Sequence, residues 1–479
     1  MTFSKLAKAL DWFDERAGIK QTISDLLDEP IRGGSRWSYI FGSTLLFLFL
    51  LQVITGIFLT LYYVPSSDHA HASVAFIQKA VPGGALLRGL HHYGSSAMVI
   101  LAVAHLTQVY LFGAYKKNRE MVWGCGVLLF LLILAFAFTG YLLPWDQAAY
   151  FGTKVGTSIA GEVPIVGPIQ QRIMLGGDDL TTLTLSRFFT THVFLLPLGM
   201  ALFISAHVYL FRKVGPAGPF HDRDNSLIEK FYPGQLFKDS VAILVLFIAL
   251  VSIAKIWPSE LGPEADPSSD YLARPPWYFL PLFQLLKYFP GKLSIFPTVI
   301  LPGALFTLMF LLPFLDRREE RHPMKRRVAT VVLALVLLTS VGLISLSKHQ
   351  DKTNPDFNSK LKEQHEEMRA FLASHFQPQT IGGSTEATSI QLVQSVLKAG
   401  DPPAPFTENC ASCHGEHGEG DPGPFLIGIT IKPKRSKDDL LKILNDPRSY
   451  GLKDPMPESF PDLSGEDKRQ IIEWLDKLK

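Results

Sequence analysis

The chain has 479 residues, 47% of them hydrophobic and 19% charged, a balance more apolar and less charged than that of an average soluble domain. Its net charge of +2 supplies no global field and excludes nucleic acid as a charge-driven partner. Three cysteines are too few for a disulfide framework, and a mean hydropathy of only +0.18 averages a membrane-type apolar body with a polar segment.

The chain opens with MTFSKLAKALDWFDERAGIKQTISDLLDE, which lacks the apolar core of a signal peptide but spreads Leu, Trp, Phe and Ile among charges. Residues 1–36 are therefore predicted to lie on a membrane surface as an amphipathic helical segment. Seven apolar stretches follow, near 39–63, 90–112, 122–143, 188–211, 240–257, 296–315 and 328–346. Crossing a hydrocarbon core of about 30 Å takes roughly 20 helical residues, so each is a membrane helix.

Basic residues cluster in alternate connections. Lys116, Lys117 and Arg119 follow the second stretch; Arg212, Lys213, Arg223, Lys230 and Lys238 follow the fourth; Arg317, Arg318, Arg321, Lys325, Arg326 and Arg327 follow the sixth. These connections and the basic N-terminus share one side, which the positive-inside rule makes cytoplasmic, so seven crossings place the C-terminus outside. Connections 64–89, 144–187 and 258–295 are sparser in basic residues and carry several Pro and Gly, as outer loops. Residues 347–400 read as a polar linker, with an amphipathic helix near 357–376 and the run GGSTEAT.

Ligand-capable side chains inside membrane helices are costly and so functional by default. The second helix carries His91 and His105, fourteen apart; the fourth carries His192 and His207, fifteen apart. At about 1.5 Å and 100° per residue, each pair spans roughly 21 Å and returns to within about 40–60° of one face. Two such helices side by side and antiparallel bring His91 opposite His192 and His105 opposite His207. His92 lies thirteen from His105, about 140° around the helix, and is rejected as a ligand. Four separately bonded core histidines, or a metal other than haem iron, are the competing readings. Gly42 and Gly56 on the first helix, and Gly126 and Gly140 on the third, also fourteen apart, favour haem. Glycine admits close approach of a flat group, whereas an isolated glycine pair means only helix packing. Cys125, between Gly124 and Gly126, reads as an inert buried thiol.

The tail, residues 401–479, is small for an independent core. Its Cys410-Ala-Ser-Cys413-His414 run is the pattern of covalent c-type haem attachment, with His414 as iron ligand. A zinc site needs further ligands, and only His417 is close. Met456, in a Met-Pro turn before a final helix, is the candidate sixth ligand, with a core-filling methionine as the alternative.

FGSTLLFLFLLQVITGIFLTLYY, RGLHHYGSSAMVILAVAH, GYLLPWDQ, LSRFFTTHVFLLPL and RPPWYF together resemble the cytochrome b family of respiratory bc and photosynthetic bf complexes, over residues 1–346. The fifteen-residue histidine spacing and the seven helices are closer to the photosynthetic form fused to its small subunit. The tail resembles class I cytochrome c. The fold implied is an all-α membrane protein with a four-helix diheme bundle at 37–215 and a three-helix quinol-site domain at 216–346. The linker 347–400 and a small α-helical cytochrome c domain at 401–479 complete it.

The resemblance implies that His91 and His192 hold the outer of two b haems, and His105 and His207 the inner. Arg88 and Arg187 match positions near the outer haem's propionates; from spacing alone they are equally snorkelling interface residues. An outer quinol pocket is implied at Tyr141, Pro144, Trp145 and Gly152, with Tyr150 and Phe151, and at Pro275, Trp277 and Tyr278. Three departures stand out. Pro276 replaces the family's usual proton-accepting Glu, leaving Asp270, Asp266 and Glu264 as substitutes; Ile40 replaces a haem-binding Cys; Gln108 replaces an Arg beside the inner site.

The function implied is the core subunit of a bc-type quinol:cytochrome c oxidoreductase, running a Q cycle through two b haems, with a fused covalent c haem. A Rieske iron–sulfur protein, a c-type cytochrome acceptor, the membrane quinone pool and a second copy of the chain are the implied partners. The bacterial cytoplasmic membrane is the implied location. The alternative is a non-bifurcating quinone-linked conduit without a Rieske partner, which Pro276 keeps open.

Overall fold

A computed structural model of the chain describes residues 3–217, 227–376, 400–418, 426, 429, 436–450, 460 and 463–478. They divide into two compact units, Met1–Pro378 and Gln379–Lys479.

In the first unit seven helices are long and apolar enough to cross a membrane: Phe41–Thr60, Gly84–Leu111, Glu120–Leu142, Thr182–Val214, Phe231–Ile256, Gly291–Leu315 and Arg327–Thr353. Their outward surfaces are apolar, as lipid requires. Two of the three buried side chains of the first helix are instead polar, Thr44 and Thr55, with Leu48 between them. The first helix packs on the second and the third on the fourth, giving the four-helix bundle.

Several helices run past their predicted ends because polar residues there are paired. Arg88, in the second turn of the second helix, is buried and donates to Ser259 Oγ at 2.8 Å and to the Glu260 carbonyl at 2.5 Å. Asp239 is buried in the fifth helix and accepts from Gln235 Nε2 at 2.8 Å. The seventh helix continues to Thr353, carrying Asp351 to a bidentate pair with Arg274 at 2.7–3.1 Å.

One turn of π-helix, Thr191–Leu195, interrupts the fourth helix. Pro197 follows it and has no N–H, so the Val193 carbonyl loses its helical partner and the chain takes up an extra residue. A second π turn, Phe296–Ile300, precedes Pro302 in the sixth helix for the same reason.

The three basic connections meet on one face, as predicted. Lys116 Nζ binds Asp316 Oδ1 at 2.8 Å and the carbonyls of Arg318 and Glu320. Arg326 donates to the Tyr115 hydroxyl at 2.9 Å and to the carbonyls of Tyr110 and Leu111, and Tyr115 donates to Asp316 Oδ2 at 2.5 Å. Arg119 reaches the carbonyls of Val214 and Gly215. On this face the N-terminal segment forms two helices, Phe3–Ala17 and Ile19–Leu27, broken at Gly18 in left-handed conformation. It then pairs Pro30–Arg32 antiparallel with Ile228–Lys230, Ile31 opposite Glu229.

The opposite, loop-rich face carries short helices Ala70–Lys79, Gln147–Gly161, Gly167–Leu175 and Leu280–Leu286. Asp146 caps the second of these, accepting from Ala149 N at 2.9 Å, while its other oxygen accepts from Gly262 N at 2.9 Å. The predicted amphipathic helix spans Pro355–Ala373, capped by Asn354. Its Phe371 and Leu372 pack against Val74, Ala75 and Leu261, and Lys79 donates to the Phe371 carbonyl.

The second unit is built on helices Ala404–Asn409, Ala411–His414, Lys437–Asn445 and Gly465–Lys477. Ser436 and Ser464 open the last two with capping boxes. Phe406 and Trp474, ring centroids 4.6 Å apart, centre its core, where Cys410 is also buried.

Candidate functional site

The second and fourth membrane helices bring His91 and His192 together, ring centroids 6.3 Å apart and ring planes at 69°. Two imidazoles bonded end-on to one metal at about 2.0 Å per nitrogen, with ring centres about 1.2 Å behind, have centroids about 6.4 Å apart. Thr55 Oγ1 lies 2.9 Å from His91 Nδ1 and 2.7 Å from the Leu51 carbonyl. A hydroxyl has one proton, and the carbonyl takes it, so Thr55 accepts from His91 Nδ1–H and leaves Nε2 as a bare lone pair. Thr139 repeats this, 2.8 Å from the Ala135 carbonyl and 2.9 Å from His192 Nδ1. Both imidazoles are thereby held in the metal-binding tautomer.

His207 lies beside His105 toward the basic face. Here no threonine serves them: the residues preceding the matching glycines are Phe41 and Cys125. The Val122 carbonyl and the Gln108 side chain are near these rings, but neither His105 Nδ1 nor His207 Nδ1 has a partner in hydrogen-bonding geometry. Gln108 Nε2 instead donates to the Ser38 carbonyl at 2.6 Å.

The glycines sit against these rings. A Cβ on Gly56 would lie 3.3 Å from His91 Cε1, on Gly126 3.4 Å from His207 Cε1, and on Gly140 2.6 Å from His192 Cε1. A Cβ on Gly42 would meet nothing within 4 Å. The extra residue of the π turn explains the fifteen-residue spacing of His192 and His207: the expected 60° overshoot is absorbed, and both face the bundle.

Among the described residues no group of three or more His, Cys, Asp or Glu is placed to hold a bare metal ion. Two facing imidazoles with glycine-cleared space beside them fit a metal that brings its own equatorial ligands, which is haem. Arg88 and Arg187 make protein contacts: Arg88 those described above, and Arg187 donating to the carbonyls of Arg172 and Ile173.

On the loop-rich face a cavity of about 320 Å³ lies between the third and sixth membrane helices and the helix Gln147–Gly161. Tyr141, Gly152, Pro275 and Pro276 line it, with Phe138 and Phe279. A Cβ on Gly152 would lie 2.5 Å from Tyr141 Cε1, so glycine here lets the helix lie flat on the third. Of the other predicted pocket residues, Trp145 is buried against Tyr150, and Trp277 and Tyr278 pack against the buried core of the bundle; Pro144 does not line the cavity. Burial pushes the Tyr278 hydroxyl up to about 12, keeping it a neutral donor. Asp270 is exposed and pairs with Lys360, Asp266 accepts from Ser268, and Glu264 pairs through its backbone with Asp146; none lines the cavity.

In the second unit Cys410 and Cys413 are free thiols. Burial, with Cys413 beside it, pushes the Cys410 thiol up to about 11. His414 ends the helix Ala411–His414. Met456 lies outside the described residues.

Residues 27–215 match the family described as Cytochrome b/b6/petB, and residues 268–360 match Cytochrome b(C-terminal)/b6/petD. A cytochrome bc complex cytochrome b subunit of Chlorobaculum thiosulfatiphilum is 37% identical over 351 residues, 70% of this chain and 81% of that protein. The chain belongs to the cytochrome b family. Residues 404–479 match Cytochrome c, so both segments of this family member imply haem. A menaquinol:cytochrome c reductase cytochrome b subunit of Bacillus subtilis is 41% identical over 222 residues, 45% of this chain and 99% of that protein. Cytochrome b of Cereibacter sphaeroides is 32% identical over 366 residues, 69% and 82% of the two chains. A solved structure, a hyperthermophilic respiratory Complex III, superposes with a TM-score of 0.64 at 28% identity, covering 76% of this chain and 96% of that one. With its seven apolar helices, this cytochrome b is a multi-pass membrane protein.

Proposed function

We propose that this chain is the cytochrome b subunit of a bc-type quinol:cytochrome c reductase with its own c haem. His91 and His192 would hold one b haem near the loop-rich face, and His105 and His207 a second near the basic face. Cys410 and Cys413 would attach the c haem, ligated by His414 and Met456. When bound, haem at these sites supplies one-electron transfer. The observation that carries the reading is the His91–His192 pair, 6.3 Å between rings, each ring held by a threonine hydroxyl. The apolar cavity would take a quinol head and exclude water from it. The relatives named as menaquinol:cytochrome c reductase subunits support quinol as the donor.

In this reading the basic face is cytoplasmic and the loop-rich face lies outside a bacterial cytoplasmic membrane. A Rieske partner takes one of quinol's two electrons toward a c-type cytochrome acceptor, within a homodimeric, multi-subunit complex. The divisions at 37–215, 216–346, 347–400 and 401–479 then separate the haem bundle, quinol domain, linker and cytochrome c domain. One observation favours the second reading, a linear quinone-linked conduit: Pro276 stands in a cavity wall that has no carboxylate among the described residues.

An oxidant pulse to the purified complex, with quinol present and the site on the basic face blocked, separates the two. Transient reduction of haem b by added oxidant is the expected result and shows that quinol's electrons split. Simple oxidation of haem b establishes the linear conduit instead.

A further inference from the structure

We propose that Thr298 and Glu162 form the route by which a proton leaves the quinol cavity; the inference rests on the reading of that cavity as the quinol site. Among the described residues, its walls carry no carboxylate, and hydroxyl groups only from Tyr141 and Thr298. Quinol gives up one proton for each electron removed, so an apolar cavity that oxidises it needs an acceptor with an exit to water. The Tyr141 hydroxyl is committed to the protein, donating to the Ala148 carbonyl at 3.0 Å, with the Arg274 carbonyl at 3.5 Å.

Thr298 stands on another wall, in the π turn Phe296–Ile300 near the start of the sixth helix. Its Oγ1 is 2.7 Å from the Ser294 carbonyl and 3.1 Å from Glu162 Oε2. One hydroxyl proton thus faces two acceptor oxygens, and the arrangement is one proton short while Glu162 is ionised. A proton added to Glu162 completes it, since Thr298 then donates to Ser294 and accepts from the carboxyl. Glu162 closes the helix Gln147–Gly161 and is exposed, so the same carboxyl opens on water.

The charged residues on the elements around Glu162 are few. Among the described residues they are Asp146 and Lys154 at and within its own helix, Arg172, which pairs with Asp178, and Lys292 in the first turn of the sixth helix. Among the described residues none forms an ion pair with Glu162. Residues 296–315 of the sixth helix contain no charge.

In the step, a quinol O–H bond breaks and its proton passes to Thr298 Oγ1. Thr298 passes its own proton to Glu162 Oε2, which later releases it to water. The electron lost with that proton goes to the one-electron oxidant that the proposed function already requires on the loop-rich face.

The test follows steady-state turnover of the purified complex from about pH 5 to 9, with a short-chain menaquinol analogue as donor and oxidised cytochrome c as acceptor. E162Q and T298V are expected to lower kcat about tenfold or more with KM within about twofold, and to change the shape of the pH profile together. E162D and T298S, which keep the carboxyl and the hydroxyl, are expected to retain most of kcat. Wild-type kcat and an unaltered pH profile in E162Q overturn the proposal and leave the cavity assignment standing; so does a rise in KM alone, which makes Glu162 a binding residue. A wild-type complex that does not oxidise the quinol overturns the cavity assignment and this route with it.

Discussion

At the scale of single residues, the bundle distinguishes its two histidine pairs by what stands beside each Nδ1. Thr55 and Thr139 accept from the rings nearer the loop-rich face, and the rings nearer the basic face have no such partner. Replacing Thr139 by Val leaves the His192 N–H buried without an acceptor, a cost of about 1–3 kcal/mol. With two b haems held as proposed, the expected outcome is a weakened or shifted haem b on that side alone, read as a change in one of the two midpoint potentials. Gly140→Ala places a methyl group 2.6 Å from His192 Cε1, closer than real Cβ contacts, whereas Gly126→Ala stands at 3.4 Å from its ring. The first variant is expected to lose one b haem and the second to keep both, measured as the ratio of b to c haem in the purified protein.

At the scale of elements, the fourth helix carries an irregularity that sets the facing of its two histidines. Fifteen straight α-helical residues turn the second histidine about 60° off the face of the first. The π turn Thr191–Leu195, placed by Pro197, removes that offset. Deleting Val193 leaves fourteen residues that regular α geometry accommodates, so both b haems are expected to remain. Inserting one alanine after Leu202 turns His207 by about 100° away from His105, and haem nearer the basic face is expected to be lost. Difference spectra of the two variants check this directly.

At the scale of the whole molecule, the basic face is joined by one buried charge cluster spanning the connections after the second and sixth helices. Lys116 and Arg326 expose only 4% and 3% of their side chains, and Asp316 is their shared carboxylate. Burial on its own raises the Asp316 carboxyl, but the hydrogen bonds from Lys116 and Tyr115 and the charges of Lys116 and Arg326 outweigh it and hold the group below its ordinary value. A depressed carboxyl contributes stability that is complete above its unfolded value of about 4 and is lost as pH falls through the lower folded value. Asp316→Asn leaves two buried cations without their counter-charge, at a cost of about 3–5 kcal/mol. Its thermal unfolding is expected to fall well below wild type at neutral pH, with the gap closing in acid; an equal gap at every pH contradicts this assignment.

The seven crossings, the four membrane histidines, the glycines at their spacing and the Cys410-Cys413-His414 run were all legible in the sequence. Each is a local pattern, set by helix pitch, by bilayer thickness or by a short fixed residue spacing. The family resemblance was legible too, and the comparisons bear it out. Helix ends were less legible, because hydropathy counts Arg88, Asp239 and Asp351 as exposed polar residues when distant partners satisfy them. The Thr55-Gly56 and Thr139-Gly140 dipeptides offered a repeated signal for the histidine-bonding threonines, but a hydroxyl inside a membrane helix as often bonds only its own backbone. Which predicted pocket residues reach one cavity, and that Thr298 meets Glu162 there across 136 positions of chain, depends on how separate helices pack. Sequence determined what each helix carries; tertiary structure decided which side chains share a proton or a cavity, because those contacts join residues that no local periodicity relates.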